Sequence, residues 1–318
     1  MLHYDTHSWN WMPYVMYTNQ PDIRSEICNT DEHGFRFTGF DGGWIDHEAF
    51  QKLDRRKALI CGGSTAFGVG TSNDGQTLAS LLNQQSDTVW FNYGSRGFNS
   101  TQELLLFSFY MPKVEQVVLF SGVNNLVDNM LSEHFSPPFG TFFGRSTFDR
   151  LNIPFTRFEA LRRLVPRKIR SLLPQAGLPE VRTTNIEQRF EESLSVTEHD
   201  LEMWRILSDA LGFSVSYFLQ PFASWTGKRF CDEEVELFEI LDRQQGGQWQ
   251  TIYPRVTASY ETYATRLEAM CQAKGIMFVD SNKLFPHEGW LFCDRVHFTD
   301  EGHVAAAGAI RSALRQSC

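Results

Sequence analysis

Ser64, Gly97, Asn124, Asp294 and His297 are the positions whose types and spacing could do chemistry together. Ser64 stands in Gly62-Gly63-Ser64-Thr65, directly after the apolar run Ala58-Leu59-Ile60-Cys61. A neutral serine hydroxyl is a poor nucleophile until a neighbouring base takes its proton. His297 titrates near neutrality and suits that task. Asp294, three residues earlier in Cys293–Phe298, can hold the second imidazole nitrogen if the loop turns back on itself. A tetrahedral intermediate formed on the serine would need hydrogen-bond donors for its oxyanion. The backbone N–H groups of Ser64 and Gly97 and the side-chain amide of Asn124 can supply them.

These residues need a scaffold that brings them to one place, and the chain between them supplies a βα rhythm. Apolar, β-branched runs at 58–61, 88–93, 116–121, 214–219 and 276–280 read as buried strands. Helices are expected over about 77–85, 100–110, 198–211, 256–274 and 299–315. Alternating units of this kind argue for a parallel sheet with right-handed crossovers. In such sheets the carboxyl ends of the strands converge on one crevice. Ser64, Gly97 and Asn124 each follow one of these strands, and Asp294 and His297 lie between the fifth strand and the last helix. Each residue alone also has a structural reading, as a cap, a turn former or a loop acid. The catalytic reading accounts for all of them at once.

At this point the residues carry a resemblance. Gly63-Ser64, Gly97, Gly122-x-Asn124 and Asp294-x-x-His297 resemble the four blocks of the SGNH (GDSL-type) hydrolase superfamily, over roughly residues 57–316. The resemblance implies a flavodoxin-like three-layer α/β/α sandwich with a central parallel sheet of about five strands. It implies a Ser64 nucleophile, a His297 base oriented by Asp294, and an oxyanion hole from Ser64, Gly97 and Asn124. No cofactor and no metal are implied. Two positions depart from the family pattern. Gly63 stands where an acid often precedes the serine, and Asn125 stands where aspartate is usual after the asparagine.

The domain reading is a hydrolase domain over 57–318 preceded by a wrapping segment over 1–56. Residues 131–195 form an insertion of helical and irregular character that could serve as a lid. A second excursion spans 221–250. His3, Asp5 and His7 alternate as metal ligands on a strand would, but a polar trio near a terminus reads as surface, and no metal is expected.

Composition narrows the class. The net charge of −9 argues against a nucleic-acid partner, and the arginines within 157–170 read as a solvated helix face. No apolar run reaches membrane-spanning length, and residues 1–16 lack the pattern of a signal peptide. Six scattered cysteines without a CxxC pair suit reduced thiols, so a cytoplasmic setting is expected. The expected activity is hydrolysis of a small acyl ester, foremost O-acetyl on a carbohydrate, with Trp9, Trp11, Trp44, Trp225, Trp249 and Trp290 as stacking platforms. A lipid ester or thioester hydrolase using the Phe-rich stretch 135–148, an acyltransferase, and a binding protein with a vestigial site are the alternatives.

Overall fold

The computed structural model describes residues 4, 6–131, 185–244 and 248–316. The chain opens with two antiparallel hairpins: β1 (Trp9–Met12) with β2 (Met16–Asn19), and β3 (Thr38–Phe40) with β4 (Gly43–Ile45). A short helix α1 (His47–Lys52) follows, capped by Asp46. The main sheet then begins with β5 (Lys57–Gly62), which runs into the one-turn helix α2 (Ser64–Phe67). Next come α3 (Leu78–Asn83), β6 (Val89–Gly94), α4 (Ser100–Tyr110), β7 (Gln116–Ser121) and α5 (Val123–Leu131). Beyond residue 184 lie α6 (Ile186–Leu211), β8 (Ser214–Leu219), α7 (Asp232–Gln244), α8 (Gln248–Ala258), α9 (Tyr260–Ala273), β9 (Met277–Asp280) and α10 (Asp300–Gln316).

The five long-range strands form one parallel sheet in the order β6-β5-β7-β8-β9. Counted along the sheet this is 2-1-3-4-5, the flavodoxin-like order, whose switch point lies between its first and third strands. Here those strands are β5 and β7, which lead to Ser64 and Asn124. Successive side chains of a strand point to opposite faces, and β5 uses both. Leu59 and Cys61 enter one core with Phe107, Leu126, Trp204 and Leu267, from α4, α5, α6 and α9. Ala58 and Ile60 enter the other with Leu78, Leu82, Ala306 and Ile310, from α3 and α10. Apolar burial on both faces makes this a three-layer α/β/α sandwich.

The strands expected from sequence lie where they were read, within a residue or so. The helices differ more. α6 begins at Ile186, well ahead of Glu198, because Asn185 and Gln188 form a capping box that starts it there. Its buried Leu194 and Val196 join it to the domain. The single helix expected over 256–274 is two, with Ser259 between α8 and α9. The second excursion contains α7 and the first residues of α8. The Phe-rich stretch 135–148, the arginines within 157–170 and most of the expected lid lie outside the described residues.

The N-terminal segment packs at β6, the edge of the sheet. Phe50 stacks on Phe91 with ring centroids 4.8 Å apart, and Phe35 packs against Tyr93 at 4.6 Å.

Candidate active site

At the strand-to-helix turn before Ser64, glycine leaves room for Asn124. A Cβ at Gly63 would sit 2.5 Å from Asn124 Nδ2 and 3.3 Å from the Phe98 carbonyl. An acid at this position would have to displace Asn124, so the glycine is what lets the asparagine amide close in on the serine turn. Ser64 is the first residue of α2, where a backbone N–H has no intrahelical acceptor. Its carbonyl accepts from Gly68 N–H at 3.0 Å and Val69 N–H at 2.9 Å, which folds the turn onto itself.

What braces that turn is a residue sequence reasoning did not single out. Arg36, fully buried, donates to the carbonyls of Gly68 (2.8 Å) and Phe67 (3.3 Å) at the end of α2. Its other bonds reach Asp74 (2.7 Å), the Ile27 carbonyl (2.7 Å) and the Tyr4 hydroxyl (3.1 Å). Asn92 adds a bond from Nδ2 to the Phe67 carbonyl at 3.1 Å. The support missing at Gly63 comes from the other end of the turn.

The loop carrying Asp294 and His297 closes on itself through an antiparallel bridge, Phe292 to Phe298, and through Cys293 N–H on the His297 carbonyl at 2.8 Å. Asp294 organises this turn and orients the histidine at once. Its Oδ1 accepts the backbone N–H groups of Val296 and His297, both at 2.7 Å, while Oδ2 lies 2.6 Å from His297 Nδ1. That double use explains why an Asp-x-x-His spacing suffices. Burial alone would raise the Asp294 carboxyl, but the His297 imidazole and the two N–H groups outweigh it and hold it below its ordinary value. The other ring nitrogen, Nε2, lies 2.6 Å from Ser64 Oγ. With Nδ1–H given to Asp294, Nε2 is left to accept from the serine hydroxyl. Neighbouring Cys293 is no rival nucleophile. Burial, and then the Asp294 charge, push its thiol up to about 12, so it stays protonated.

Gly97 lies in the loop after β6 with φ +67°, a left-handed conformation that favours glycine. Its carbonyl accepts the Tyr17 hydroxyl at 2.7 Å. Asn19 holds the same loop, accepting Arg96 N–H at 3.1 Å and donating to the Gly94 carbonyl at 3.3 Å. Arg96 in turn donates to the carbonyls of Tyr4 (2.5 Å), His7 (3.2 Å) and Ser8 (3.1 Å), with its guanidinium 4.4 Å over the Trp9 ring. The N-terminal hairpin therefore fixes the Gly97 loop, a role for Tyr17 and Asn19 that no motif advertises.

Asn124, near the start of α5, donates one amide hydrogen to the Phe98 carbonyl at 2.8 Å. An amide nitrogen carries two hydrogens, so a second remains. Asn125, at the other departure from the family pattern, is buried and ties three elements together. Its Oδ1 accepts Ser100 N–H at 2.8 Å, and its Nδ2 donates to Ser100 Oγ (2.6 Å) and Thr197 Oγ1 (2.8 Å). An aspartate could accept but not donate here, so asparagine suits these partners.

Ser64, Gly97, Asn124, Asp294 and His297 all line one cleft of about 370 Å³. Much of the remaining wall is apolar, with Val69, Val127, Leu131, Phe238 and Leu241. One side is held by Arg295, whose guanidinium bonds Asp242 of α7 at 2.5 and 3.1 Å and lies 3.7 Å over the Tyr253 ring. The expected stacking platforms fare differently. Trp9 lines the cleft, whereas Trp225 is buried with its Nε1–H on the Val256 carbonyl at 3.0 Å, and is corrected to a core residue. Trp11, Trp44 and Trp290 are exposed but do not line the cleft, and the Trp249 side chain lies outside the described residues. His3 and Asp5 also lie outside them. Among the described residues no group of three His, Cys, Asp or Glu converges as a metal site. No helix among them is long and apolar enough to cross a membrane.

No protein-family model and no curated protein matches the sequence. Solved structures are similar in part. An acetyl xylan esterase shares 14% identity at a TM-score of 0.42, covering 81% of this chain and 99% of its own. An extracellular lipase from Streptomyces rimosus shares 11% at 0.43, covering 81% and 99%. LAE5, an alpha/beta hydrolase enzyme from the metagenome of Lake Arreo, shares 13% at 0.45, covering 83% and 97%. The chemistry is read from this chain's own residues.

Proposed function

We propose that the chain is a serine ester hydrolase of the SGNH (GDSL) type, acting on a small acyl ester. One observation carries this reading: the unbroken line from Asp294 through His297 to Ser64, with both contacts at 2.6 Å. Hydrogen-bonded nucleophile, base and orienting acid form the constellation that activates a serine on many unrelated folds.

In this reading Ser64 Oγ bonds to the ester carbonyl carbon as its proton passes to His297 Nε2. The carbonyl π electrons move onto oxygen. That oxyanion accepts hydrogen bonds from Ser64 N–H, Gly97 N–H and the second Asn124 amide hydrogen. The imidazolium, stabilised by Asp294, protonates the departing alcohol as the C–O bond breaks. Water then repeats the sequence on the acyl-serine, releasing the acid and restoring Ser64.

The alcohol partner is read as a carbohydrate or similar polyol and the acyl group as acetyl. The modest cleft volume supports a small substrate, since ligand pockets commonly span roughly 300–1,000 Å³. Tryptophan stacking supports it less than composition promised, because Trp9 is the one described tryptophan on the cleft and already carries Arg96. A second reading has its own observation. The apolar wall of Val127, Leu131, Phe238 and Leu241 suits an acyl chain, hence a lipid ester or thioester. A panel of acetyl, butyryl and long-chain esters, a thioester and acetylated sugars separates the two. Turnover highest with acetylated sugars fits the first reading, and turnover rising with chain length replaces it with the second.

A further inference from the structure

Asp128 is a polar side chain of this cleft that the proposed chemistry leaves unused. It stands on α5 four residues after Asn124, hence on the same helix face, and lines the cleft with Ser64 and His297. Its Oδ2 finds no hydrogen-bond partner among the described residues. The neighbouring polar groups are all engaged. Asp242 holds Arg295, Asp294 holds His297 and its own turn, and Asn124 holds the Phe98 carbonyl. Burial pushes the Asp128 carboxyl up to about 8, so at neutral pH it is largely a neutral acid with one O–H to donate and one carbonyl oxygen to accept. An unpartnered buried polar group costs stability, and no contact among the described residues offsets that cost.

The geometry points to Asp128 as the substrate-recognition residue that binds a free hydroxyl next to the esterified one, so that the substrate class is a monoester of a vicinal diol, as in a sugar or polyol. The inference rests on the hydrolase reading above. If Asn124 takes the ester carbonyl oxygen, Asp128 sits one helical turn further along, about 5.4 Å. A hydroxyl on the carbon next to the ester-bearing carbon is separated from that carbonyl by a similar reach. The walls on either side of Asp128 along α5, Val127 and Leu131, are apolar and offer such a hydroxyl nothing. The carboxyl is therefore positioned to discriminate between a diol ester and its deoxy analogue. A site that hydrogen-bonds a substrate hydroxyl penalises the analogue lacking it, because the site's own polar group is then left unpaired.

The test compares glycerol 1-acetate with propyl acetate on the wild-type chain, Asp128→Asn and Asp128→Ala, with Ser64→Ala as the blank. The wild type is expected to favour glycerol 1-acetate in kcat/KM by ~10-fold or more, the scale of one good hydrogen bond to a polar group. That ratio should fall toward one in Asp128→Ala, while Asp128→Asn, which can still donate and accept, should retain part of it. Ser64-dependent hydrolysis of both esters without preference in the wild type overturns the inference and leaves the hydrolase reading standing. A ratio unchanged by both substitutions overturns it equally. Hydrolysis of neither ester above the Ser64→Ala blank overturns the hydrolase reading, and this inference with it. If Asp128→Ala fails to fold, the nearly isosteric Asp128→Asn decides, an unchanged ratio there overturning the inference.

Discussion

Tyr17, on the second strand of the N-terminal hairpin, donates its hydroxyl to the carbonyl of Gly97 at 2.7 Å, across 80 residues of sequence. The bond fixes the far end of a loop whose own N–H is assigned to the oxyanion. Tyr17→Phe keeps the ring and its packing against Trp9 at 4.7 Å and Phe98 at 5.9 Å, and loses that bond. A typical hydrogen bond contributes roughly 1 kcal/mol. Ester hydrolysis by Tyr17→Phe should therefore fall about fivefold in kcat, with KM little changed and the circular-dichroism spectrum preserved. Unaltered kcat would show that the loop holds itself.

Arg36 makes a prediction about stability. It and Asp74 are buried, joined at 2.7 Å, with side-chain exposures of 0% and 4%. Removing one partner of such a pair strands the other charge, at a cost of about 3–5 kcal/mol. Arg36→Met should lower the urea midpoint sharply and loosen the serine turn that Arg36 holds through the Phe67 and Gly68 carbonyls. A midpoint within error of wild type would contradict that bracing.

Asn124→Ala tests the oxyanion reading. Loss of one such donor elsewhere costs about 10²–10³ in kcat, and the same fall is expected here. Because Asn124 also donates to the Phe98 carbonyl, thermal unfolding of the variant should be measured alongside. Wild-type kcat would remove Asn124 from the transition state.

Glu103 predicts how stability depends on pH. It is 2% exposed, accepts the Ser121 hydroxyl at 2.7 Å, and has its carboxyl raised to about 8 by burial. The folded chain thus binds a proton that the unfolded chain releases from about pH 4.5 upward. Its contribution is complete below that pH and is lost as pH rises toward 8. Asp128, raised to about 8, and Asp200, raised to about 6, act in the same direction. Denaturation midpoints should fall between pH 5 and pH 8 on account of these groups, and Glu103→Gln should flatten that fall. An equally steep decline in Glu103→Gln would assign it elsewhere.

The sheet and the site's residue types were legible in the sequence because each strand is a short apolar run and each candidate follows one of them. Asp294 and His297 were legible for a stronger reason, since their spacing is set by a turn that the carboxylate itself builds. The supports were not legible. Tyr17, Asn19 and Arg36 act through contacts to backbone carbonyls and amides far along the chain, and such contacts leave no spacing to read. The early start of α6 carried a signal in Asn185 and Gln188, hidden behind a proline-rich stretch. Trp225 misled because a tryptophan in a polar neighbourhood resembles a binding platform until its indole N–H is seen to be satisfied in the core.

The central claim is that Ser64, 2.6 Å from His297 Nε2, is an activated nucleophile. Incubation of the intact chain with a fluorophosphonate, followed by intact-mass measurement, tests it directly. The account predicts a single adduct on Ser64, no adduct on Ser64→Ala at unchanged thermal stability, and labelling slowed by orders of magnitude in His297→Ala. An adduct that persists in Ser64→Ala, or none on the folded wild type, would contradict it.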